Sequence, residues 1–401
     1  MGHDRIPNGS GRADAGRVYL DHAATTPLRP EALEAMLPLL TDGFANPSGG
    51  HAESRAARLA LDDARDRIAE LLGAGPGDVV LTSGGTEADD LAVHGGWEAV
   101  AEEWTGASVP AVVCSATEHH AVLRACRSLA RRHGCELREV RSGPDGRIDL
   151  DALAEACRTD VGLVSVMTVN NEVGTVQPLD EVAEIVATGA PRAVLHSDAV
   201  QAVPWMDVAD RTAPASLVSV SAHKFGGPKG SGALIIRPGT GLRPRIDGGG
   251  QERGRRSGTP NVAAAVGTAA ALTATVAGRT EDVRRVAVLR DRLADALVGA
   301  VPGVTETGDR AERVGGILHL RFAGVEAEAM VVLLDQVGIA ASAGAACSSG
   351  AVEPSHVLAA MGLDPDEAAS GVRFSLGVTT IDQDVDVAIA RIPPVVERLR
   401  N

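Results

Sequence analysis

Short apolar segments alternate with amphipathic helical stretches along most of this chain. The helical stretches are recognised by apolar residues spaced three and four positions apart. Parallel strands need a long crossover connection, so this alternation favours a mainly parallel sheet with helices on both faces. The predicted strands are residues 79–82, 111–115, 161–169, 193–197, 217–221 and 232–236. The sequence therefore predicts an α/β fold.

The pattern changes after an Ala-rich helix predicted at residues 261–278. Beyond it we predict a charged helix at 281–298, a strand at 315–322, a helix at 326–336, a Gly/Ala/Ser loop, a strand at 372–376 and a last helix from Asp382. We therefore expect a large domain over residues 30–280 and a smaller α/β domain over 281–401. Residues 1–17 are polar and Gly-rich, which predicts a flexible tail and not a signal peptide.

Polar or Gly-rich residues follow five of the predicted strands. They are Ser83 to Thr86, Thr117 to His120, Asn170 to Glu172, Asp198 with Gln201, and Ser221 to Lys224. Ligands of open α/β sheets bind beyond the carboxyl ends of the strands. We therefore expect these residues to form one composite site.

Lysine is rare in this chain. Of its 38 basic residues only Lys224 and Lys229 are lysines, and the remainder are arginines. A codon or solubility bias explains the excess of arginine, but arginine cannot replace a lysine whose amine forms an imine. Lys224 follows an apolar strand beside Ser221 and His223, which favours a reactive amine. Lys229 lies in Gly-Gly-Pro-Lys-Gly, a turn sequence typical of a solvated side chain.

Three further candidates have both a functional and a structural interpretation. The turn at residues 83–86 could bind an anion at a helix N-terminus or simply connect a strand to a helix. Asp198 could hold a proton on a cofactor ring nitrogen or cap a helix. His119 could act in a site, be a buried core histidine, or bind zinc with His120 and Cys114, although no second half of a zinc motif is present. No Walker A or Gly-x-Gly-x-x-Gly motif occurs.

The cysteines are odd in number and form no Cys-x-x-Cys pair. This usage predicts a reduced, cytoplasmic chain. Cys347 differs from the other four because it lies between small residues, in a loop where a thiol can reach a ligand. Arg373 lies within a predicted strand, where it could clamp a carboxylate or form a structural ion pair.

Composition excludes some classes of function. The net charge is −15 and no block of Lys or Arg occurs, which argues against nucleic-acid binding. No run of about 18 strongly apolar residues is present, so we expect no membrane span. The nearest run, residues 262–278, consists largely of Ala, Gly and Thr and is typical of a buried helix.

From Tyr19 onward the chain resembles the cysteine desulfurases of the NifS and IscS subgroup. The motifs that carry the resemblance are Tyr-Leu-Asp-His-Ala-Ala-Thr-Thr-Pro (19–27), Asn-Pro-Ser (46–48), Thr-Ser-Gly-Gly-Thr-Glu (82–87), Thr-Glu-His-His (117–120), Asn-Asn-Glu-Val-Gly (170–174), His-Ser-Asp-Ala-Val-Gln (196–201), Ser-Ala-His-Lys (221–224), the glycine- and arginine-rich stretch 248–259, the Cys347 loop and Arg-Phe-Ser-Leu-Gly (373–377). The resemblance implies the aspartate-aminotransferase-like fold type I of pyridoxal-phosphate enzymes. It also implies that residues 18–29 join the small domain, which carries the Cys347 loop.

The resemblance further implies a role for each matching residue. Lys224 would hold pyridoxal 5'-phosphate through an imine, and His119 would stack on its ring and help to move protons. Asp198 would pair with the ring nitrogen, and Gln201 and Asn171 would reach the phenolic oxygen. The expected phosphate ligands are Gly85, Thr86, Ser221, His223 and, from the second subunit of a homodimer, Thr259. Arg373, Asn46 and Asn171 would bind the substrate, and Cys347 would receive its sulfur as a persulfide while alanine is released.

Some points stay open at this stage. Asp90 stands where the family usually has Asn, and the Cys347 loop reads Ala-Gly-Ala-Ala-Cys where relatives often have Ser-Gly-Ser-Ala-Cys. A selenocysteine lyase, an aminotransferase of the same fold and a cofactor-free scaffold subunit are the alternatives. The persulfide needs an acceptor protein, in iron–sulfur cluster assembly, tRNA thiolation or biosynthesis, and the acidic chain predicts acceptors with basic patches. No metal is expected.

Overall fold

The computed structural model describes residues 16–106, 108–344 and 355–401. Its strands are β1 Val18–Tyr19, β2 Val79–Thr82, β3 Ala111–Ser115, β4 Leu137–Val140, β5 Val161–Ser165, β6 Val194–Asp198, β7 Leu217–Ser221, β8 Gly232–Ile236, β9 Val304–Glu306, β10 Ile317–Phe322, β11 Ile339–Ala340 and β12 Gly371–Ser375. Its helices are α1 Pro30–Leu40, α2 Ala52–Leu71, α3 Gly85–Asp90, α4 Gly96–Glu102, α5 His120–His133, α6 Leu150–Ala156, α7 Leu179–Gly189, α8 Val208–Arg211, α9 Val262–Ala300, α10 Ala327–Gln336, α11 His356–Ala360, α12 Pro365–Ala369 and α13 Asp382–Arg400.

A seven-stranded sheet forms the centre of the larger part of the fold. Its strand order is β2-β8-β7-β6-β5-β3-β4, and the five strands from β7 to β4 are parallel. Strands β3, β5 and β7 are buried along their whole length, as expected for a sheet covered on both faces. The predicted mainly parallel α/β fold is confirmed, and its parallel strands end on one edge of the sheet.

Strand β8 runs antiparallel to both β7 and β2. The ten residues 222–231 between β7 and β8 are too few for a right-handed helical crossover, which requires about a dozen or more. This short connection returns the chain beside β7 in the opposite direction. It also places Lys224, which follows β7, at the edge where the parallel strands end.

Helix α9 differs from the sequence prediction. The Ala-rich helix and the charged helix are one helix of 39 residues, because neither Gly278 nor the residues after it break the backbone pattern. By length and composition alone α9 could cross a membrane, but 56% of its most apolar window is buried within the protein, as in the core helix of a soluble protein. Its first half packs in the core of the large sheet and its second half in a second core.

The second core surrounds an antiparallel sheet of order β12-β10-β9, covered by α10, α13 and the end of α9. Strand β1 pairs in parallel with β11, and Asp21 forms a bridge to Ser375. The start of the described chain is thus attached to this core before it crosses to the large sheet. The predicted boundary at residues 280 and 281 falls inside α9.

Candidate active site

The turn between β2 and α3 forms one wall of a cleft at the sheet edge. Gly84 has φ +143°, a conformation that favours glycine, and it contributes no side chain to cap the helix. A Cβ on Gly85 would lie 2.8 Å from Val200 Cγ2 and 3.3 Å from Ser221 Cβ. The two glycines therefore let the start of α3 pack closely against Val200 and Ser221.

These glycines line a cavity of about 340 Å³ together with side chains from two other segments. Its lining includes Thr25, Gly85, Thr86, Ser221 and His223. The structure thus brings together four of the predicted phosphate ligands: Gly85, Thr86, Ser221 and His223. Burial, followed by the charges of the two lysines, lowers the pKa of His223 to about 4, so this ring is neutral at pH 7.

Lys224 lies in a short 3₁₀ turn directly after β7. Its Nζ donates hydrogen bonds to the carbonyl oxygens of Ala23 at 2.6 Å and Ala24 at 2.8 Å. Gln201 Nε2 donates to the same Ala23 oxygen at 2.8 Å, which joins two predicted site residues through one carbonyl group. Residues 23–24 were in a motif of the resemblance, but sequence reasoning gave them no role.

Asp198 is the last residue of β6 and is 4% exposed. Burial raises its pKa to about 6, while a hydrogen bond from the Val200 N–H at 2.8 Å and the nearby charge of Lys224 oppose this rise. The carboxylate is therefore ionised at pH 7 although it is buried. A buried carboxylate of this kind can hold a proton on a ligand nitrogen.

Sequence reasoning missed a buried polar layer behind Asp198. His196 interacts with Ser165 Oγ at 2.9 Å through Nδ1 and with Ser219 Oγ at 3.0 Å through Nε2. Asp89 Oδ1 lies 3.6 Å from His196 Nε2, and burial, followed by the charge of Asp198, raises the Asp89 pKa well above its usual range. Ser165 lies in β5 and Ser219 in β7, the two strands next to β6. Polar residues within these otherwise apolar strands were the sequence signal for the layer.

His119 precedes α5 and caps it, since its Nδ1 accepts the Ala121 N–H at 3.1 Å. Burial, followed by the positive charge of Lys224, lowers the pKa of His119 to about 4. The ring is therefore neutral at pH 7, and with Nδ1 acting as acceptor its proton is on Nε2.

Arg373 lies in β12 and is 5% exposed. Its guanidinium donates to Asp21 Oδ1 at 2.8 Å and to the Asn171 carbonyl oxygen at 2.9 Å. Within the described residues, Arg373 Nε and Asn171 Oδ1 are buried without a hydrogen-bond partner. A carboxylate ligand and a polar ligand atom would satisfy these two groups. Asp21, the anchor of the guanidinium, was not predicted.

Two predicted site residues, Asn46 and Thr259, do not line the cavity at the start of α3. Asn46 is in an exposed turn, where its Oδ1 accepts the Ser48 N–H at 2.9 Å, and no hydrogen bond of the described residues joins it to Arg373. Thr259 is exposed and lines a separate cavity of about 120 Å³ with Ser83 and Gly230. Cys347, predicted to be catalytic, lies outside the described residues.

The zinc alternative gains no support from the described ranges. No group of three His, Cys, Asp or Glu side chains in residues 16–106, 108–344 and 355–401 could hold a metal ion. Cys114 is fully buried, and its thiol pKa is raised first by a hydrogen bond with Cys126 and then by burial. Cys126, Cys135 and Cys157 are also buried.

The model of the family called aminotransferase class-V matches residues 18–387. The chain belongs to this family. It is 42% identical to an IscS-like cysteine desulfurase of Mycobacterium tuberculosis over 96% of this chain and 97% of that protein. A solved NifS-like protein aligns with a TM-score of 0.87 and 32% identity over 95% of this chain and 100% of its own, and SspA in complex with cysteine aligns with a TM-score of 0.77 and 30% identity over 91% and 100%. The NifS/IscS resemblance inferred from the motifs is confirmed.

Class-V aminotransferases use pyridoxal 5'-phosphate, and the cleft fits this group. The cavity at the start of α3 suits a phosphate, since Gly84 and Gly85 line it without side chains, next to Thr86 and Ser221. The buried Asp198 carboxylate suits the ring nitrogen, and the unpartnered Asn171 Oδ1 suits a polar ring substituent. Lys224 supplies an amine whose charge acts on both Asp198 and His223. The chain is a pyridoxal-phosphate-dependent enzyme.

Proposed function

We propose that this chain removes the sulfur of L-cysteine, releases L-alanine and carries the sulfur as a persulfide on Cys347 to an acceptor protein. This is the reaction of a cysteine desulfurase. The observation that carries the proposal is 42% identity to a protein of that name over nearly the full length of both chains. The Lys224 and Asp198 cleft supports it, and SspA, a solved relative, is described in complex with cysteine.

The cofactor residues have distinct tasks in this proposal. When bound, pyridoxal 5'-phosphate supplies an electron-withdrawing ring that stabilises negative charge beside the substrate α-carbon. Asp198, ionised at pH 7, would keep a proton on the ring nitrogen. Lys224 would bind the cofactor covalently, and its amine is oriented by the Ala23 and Ala24 carbonyls. His119 would use its Nε2–H when it helps to move protons, because its Nδ1 already accepts the Ala121 N–H.

The residues proposed to bind the substrate lie on the small-domain side of the cleft. The guanidinium of Arg373, held by Asp21 and the Asn171 carbonyl, would bind the cysteine carboxylate, with the Asn171 side chain completing the site. The Cys347 thiolate would then attack the substrate sulfur. A sulfur–sulfur bond forms as the Cβ–S bond breaks, and the electron pair stays on Cβ, which takes a proton to give alanine.

Replacement of the thiol tests this reaction. With L-cysteine and dithiothreitol, the wild-type protein should release sulfide and alanine in equal amounts. Cys347→Ser should lower sulfide release by about 10²-fold or more, an effect typical of a lost nucleophile, while the absorbance of the bound cofactor is retained. Sulfide release by Cys347→Ser at the wild-type rate would refute attack by this thiol, as expected for a lyase without a thiol acceptor.

Borohydride trapping tests the amine within one protein. Reduction should attach the cofactor to Lys224, and peptide mapping should find Lys229, the second lysine of the chain, unmodified. Lys224→Ala should lose the trapped adduct and the reaction together. An adduct at any other residue would contradict the assignment.

We also propose that the active unit is a homodimer in which Thr259 serves the neighbouring site. Helix α1 and the residues after it expose apolar side chains, among them Leu40 at 59% and Phe44 at 81% exposure, and exposed apolar patches mark interfaces. Mixed dimers of one Lys224→Ala chain and one Thr259→Ala chain should regain about half of the wild-type activity. One of their two sites then keeps both Lys224 and Thr259. Sedimentation as a monomer, or mixed dimers no more active than their parents, would contradict this proposal.

The cytoplasm is the proposed location, because the cysteine usage is that of a reducing compartment. The four described cysteines are buried and unbridged.

The acceptor protein is proposed to present a basic patch, which complements the net charge of −15. Persulfide transfer that weakens with added salt would support such a patch.

A further inference from the structure

Lys229, the second of the two lysines in this chain, lines the cavity at the start of α3. It belongs to the short connection between β7 and β8, close before Gly232, the first residue of β8. Gly232 is paired with Thr82 at the end of β2 on one side and with Ser221 at the end of β7 on the other. The connection therefore starts and ends at the sheet edge where the cavity lies, and this brings Lys229 to the cavity.

Hydrogen bonds hold this connection in place. The Ala222 N–H donates to the Ser231 carbonyl oxygen at 3.0 Å, and the Gly227 N–H donates to the Ala222 carbonyl oxygen at 2.8 Å. Ser231 Oγ also lies 2.8 Å from Thr268 Oγ1 in α9. The backbone on both sides of Lys229 is thus fixed, whereas Lys229 itself is exposed. Its side chain extends from a fixed point beside the cavity.

The floor and the mouth of the cavity differ in burial. Gly85 is buried and Ser221 is 2% exposed, whereas Thr86 and Lys229 are exposed. Groups that can bind a polar ligand therefore extend from the buried end of the cavity to the solvent. Lys229 stands at the open end, where its ammonium is hydrated until a ligand binds.

One carboxylate, that of Glu87, also lines the cavity. It accepts hydrogen bonds from Arg256 Nε at 2.8 Å and Nη2 at 3.3 Å, and from the Ser83 N–H at 2.8 Å. Arg256 therefore balances the charge of Glu87. Within residues 16–106, 108–344 and 355–401, no hydrogen bond or ion pair engages the Lys229 amine. Among the described side chains of this cavity, Lys229 thus supplies the charge left for a ligand, and that charge is positive.

The phosphate of the cofactor needs such a charge. A phosphate monoester carries about −1.5 to −2 charges at pH 7. Thr86 and Ser221 offer only neutral hydroxyl groups. His223 is neutral too, since burial, followed by the charges of Lys224 and Lys229, lowers its pKa to about 4. Because Lys229 contributes to this effect on His223, its charge acts inside the cavity.

We propose that Lys229 is a binding residue for the cofactor phosphate: its ammonium stands at the mouth of the cavity and supplies the positive charge that the other ligands lack. A hydrogen bond between ionised groups is about twice as strong as a neutral one. A partly enclosed ion pair is also screened less by salt than an exposed one. The proposal goes beyond the proposed reaction and does not depend on Cys347, but it does depend on the fit of a phosphate to this cavity.

Pyridoxal 5'-phosphate and pyridoxal together test the proposal, because pyridoxal has the same ring and aldehyde but no phosphate. Each is titrated into cofactor-free protein, and its dissociation constant is measured by absorbance. Lys229→Met removes the charge and keeps a side chain of similar length, and Lys229→Arg keeps the charge. Arg124→Met is the matched control, since Arg124 is an exposed cation of α5 that does not line the cavity.

Lys229→Met should bind pyridoxal 5'-phosphate about 10-fold more weakly, as for a lost hydrogen bond between charged groups, and pyridoxal within about twofold of the wild type. Lys229→Arg should regain most of the affinity, and Arg124→Met should keep all of it. Added salt should weaken the binding of pyridoxal 5'-phosphate more in the wild-type protein than in Lys229→Met, because the variant lacks the ion pair.

The pKa of His223, measured by NMR in cofactor-free protein, locates the Lys229 charge without any ligand. It should rise in Lys229→Met, because a positive charge that lowered it is gone. It should keep its wild-type value in Arg124→Met. An unchanged pKa in Lys229→Met would mean that the ammonium does not act inside the cavity, and this would overturn the proposal.

Wild-type affinity for pyridoxal 5'-phosphate in Lys229→Met would contradict the proposal directly. Equal losses of affinity for both ligands would contradict it as well, because the substitution would then disturb the cleft and not the phosphate, and so would a Lys229→Arg variant as weak as Lys229→Met. If the wild-type protein itself showed no preference for pyridoxal 5'-phosphate over pyridoxal, the cavity would not bind the phosphate at all. None of these measurements involves sulfide release, so their failure is distinct from full sulfide release by Cys347→Ser.

Discussion

At the scale of single residues, backbone shape as well as side-chain chemistry makes the cleft. Gly84 allows a positive φ, and Gly85 lets the helix approach Val200 and Ser221. The side chains that act on a ligand are then aimed by backbone groups, as the Ala23 and Ala24 carbonyls aim Lys224. Substitution of a glycine should therefore impair ligand binding without removing any functional group.

Gly85→Ala is expected to weaken cofactor binding by about tenfold, because its Cβ would lie 2.8 Å from Val200 Cγ2 and overpacking costs about 1–3 kcal/mol. Gly50→Ala is the matched control, since a Cβ at Gly50 meets open space. Titration of cofactor-free protein with pyridoxal 5'-phosphate measures both. Equal affinities in the two variants would show that the close approach of Gly85 does not shape the cavity.

Sequence reasoning found the site residues that have distinctive chemistry and missed those that only support them. A lysine among arginines and an aspartate at a strand end can be recognised from the sequence, and the structure places both at the edge where the parallel strands end. Asp21 could not be recognised, because it is far from Arg373 in the sequence. It reaches Arg373 only when the segment after β1 pairs with Ser375 at the end of β12. Glu172 was seen as part of a polar cluster, but its hydrogen bond with Ser355 depends on the tertiary fold.

At the scale of elements, strands were predicted better than their directions. The predicted strand at 217–221 has the bounds of β7, because a fully buried strand is a continuous apolar run. The edge strand β4 was missed, since Leu-Arg-Glu-Val is half polar. The residues of β8 do not indicate its direction. The short connection before β8 was the sequence signal that it runs antiparallel to β7.

Helix α9 connects the two cores through a stretch that contains Gly278. Gly278→Ala should raise the free energy of unfolding by about 0.5–1 kcal/mol, because alanine has the higher helix propensity; the partly exposed Asp282 carboxylate, 3.1 Å from the new Cβ, can rotate away. Gly278→Pro should lower it by about 3 kcal/mol or more. Urea unfolding measures both, and a neutral proline would mean that continuity of α9 contributes nothing to stability.

At the scale of the whole molecule, the fold buries many titratable groups. The histidines whose pKa is lowered, by burial above all, are His22, His94, His119 and His223, to about 4, and His196 and His319, to about 3. Burial acts in the opposite direction on carboxyl groups and raises the pKa of Asp198 to about 6. The pH dependence of stability is the balance of these two sets.

Acid should destabilise the cofactor-free protein as the pH falls from about 6.5 to about 4, with ordinary histidine pKa values near 6.5. In this window an unfolded histidine binds a proton and a folded one with a lowered pKa does not, so the unfolded state holds more protons and the free energy of unfolding falls with pH. Asp198 opposes this below about pH 6, and the buried Asp89 and Glu118, whose pKa values are also raised, oppose it too, but the six histidines outnumber these three carboxyl groups. Urea unfolding at several pH values in this range measures the slope of the free energy of unfolding against pH. The variant is His319→Asn, at a buried histidine, and the control is His51→Asn, at an exposed one. His319→Asn should reduce the slope by about one proton, or 1.4 kcal/mol per pH unit, and a slope equal to that of His51→Asn would show that burial of His319 does not couple folding to pH.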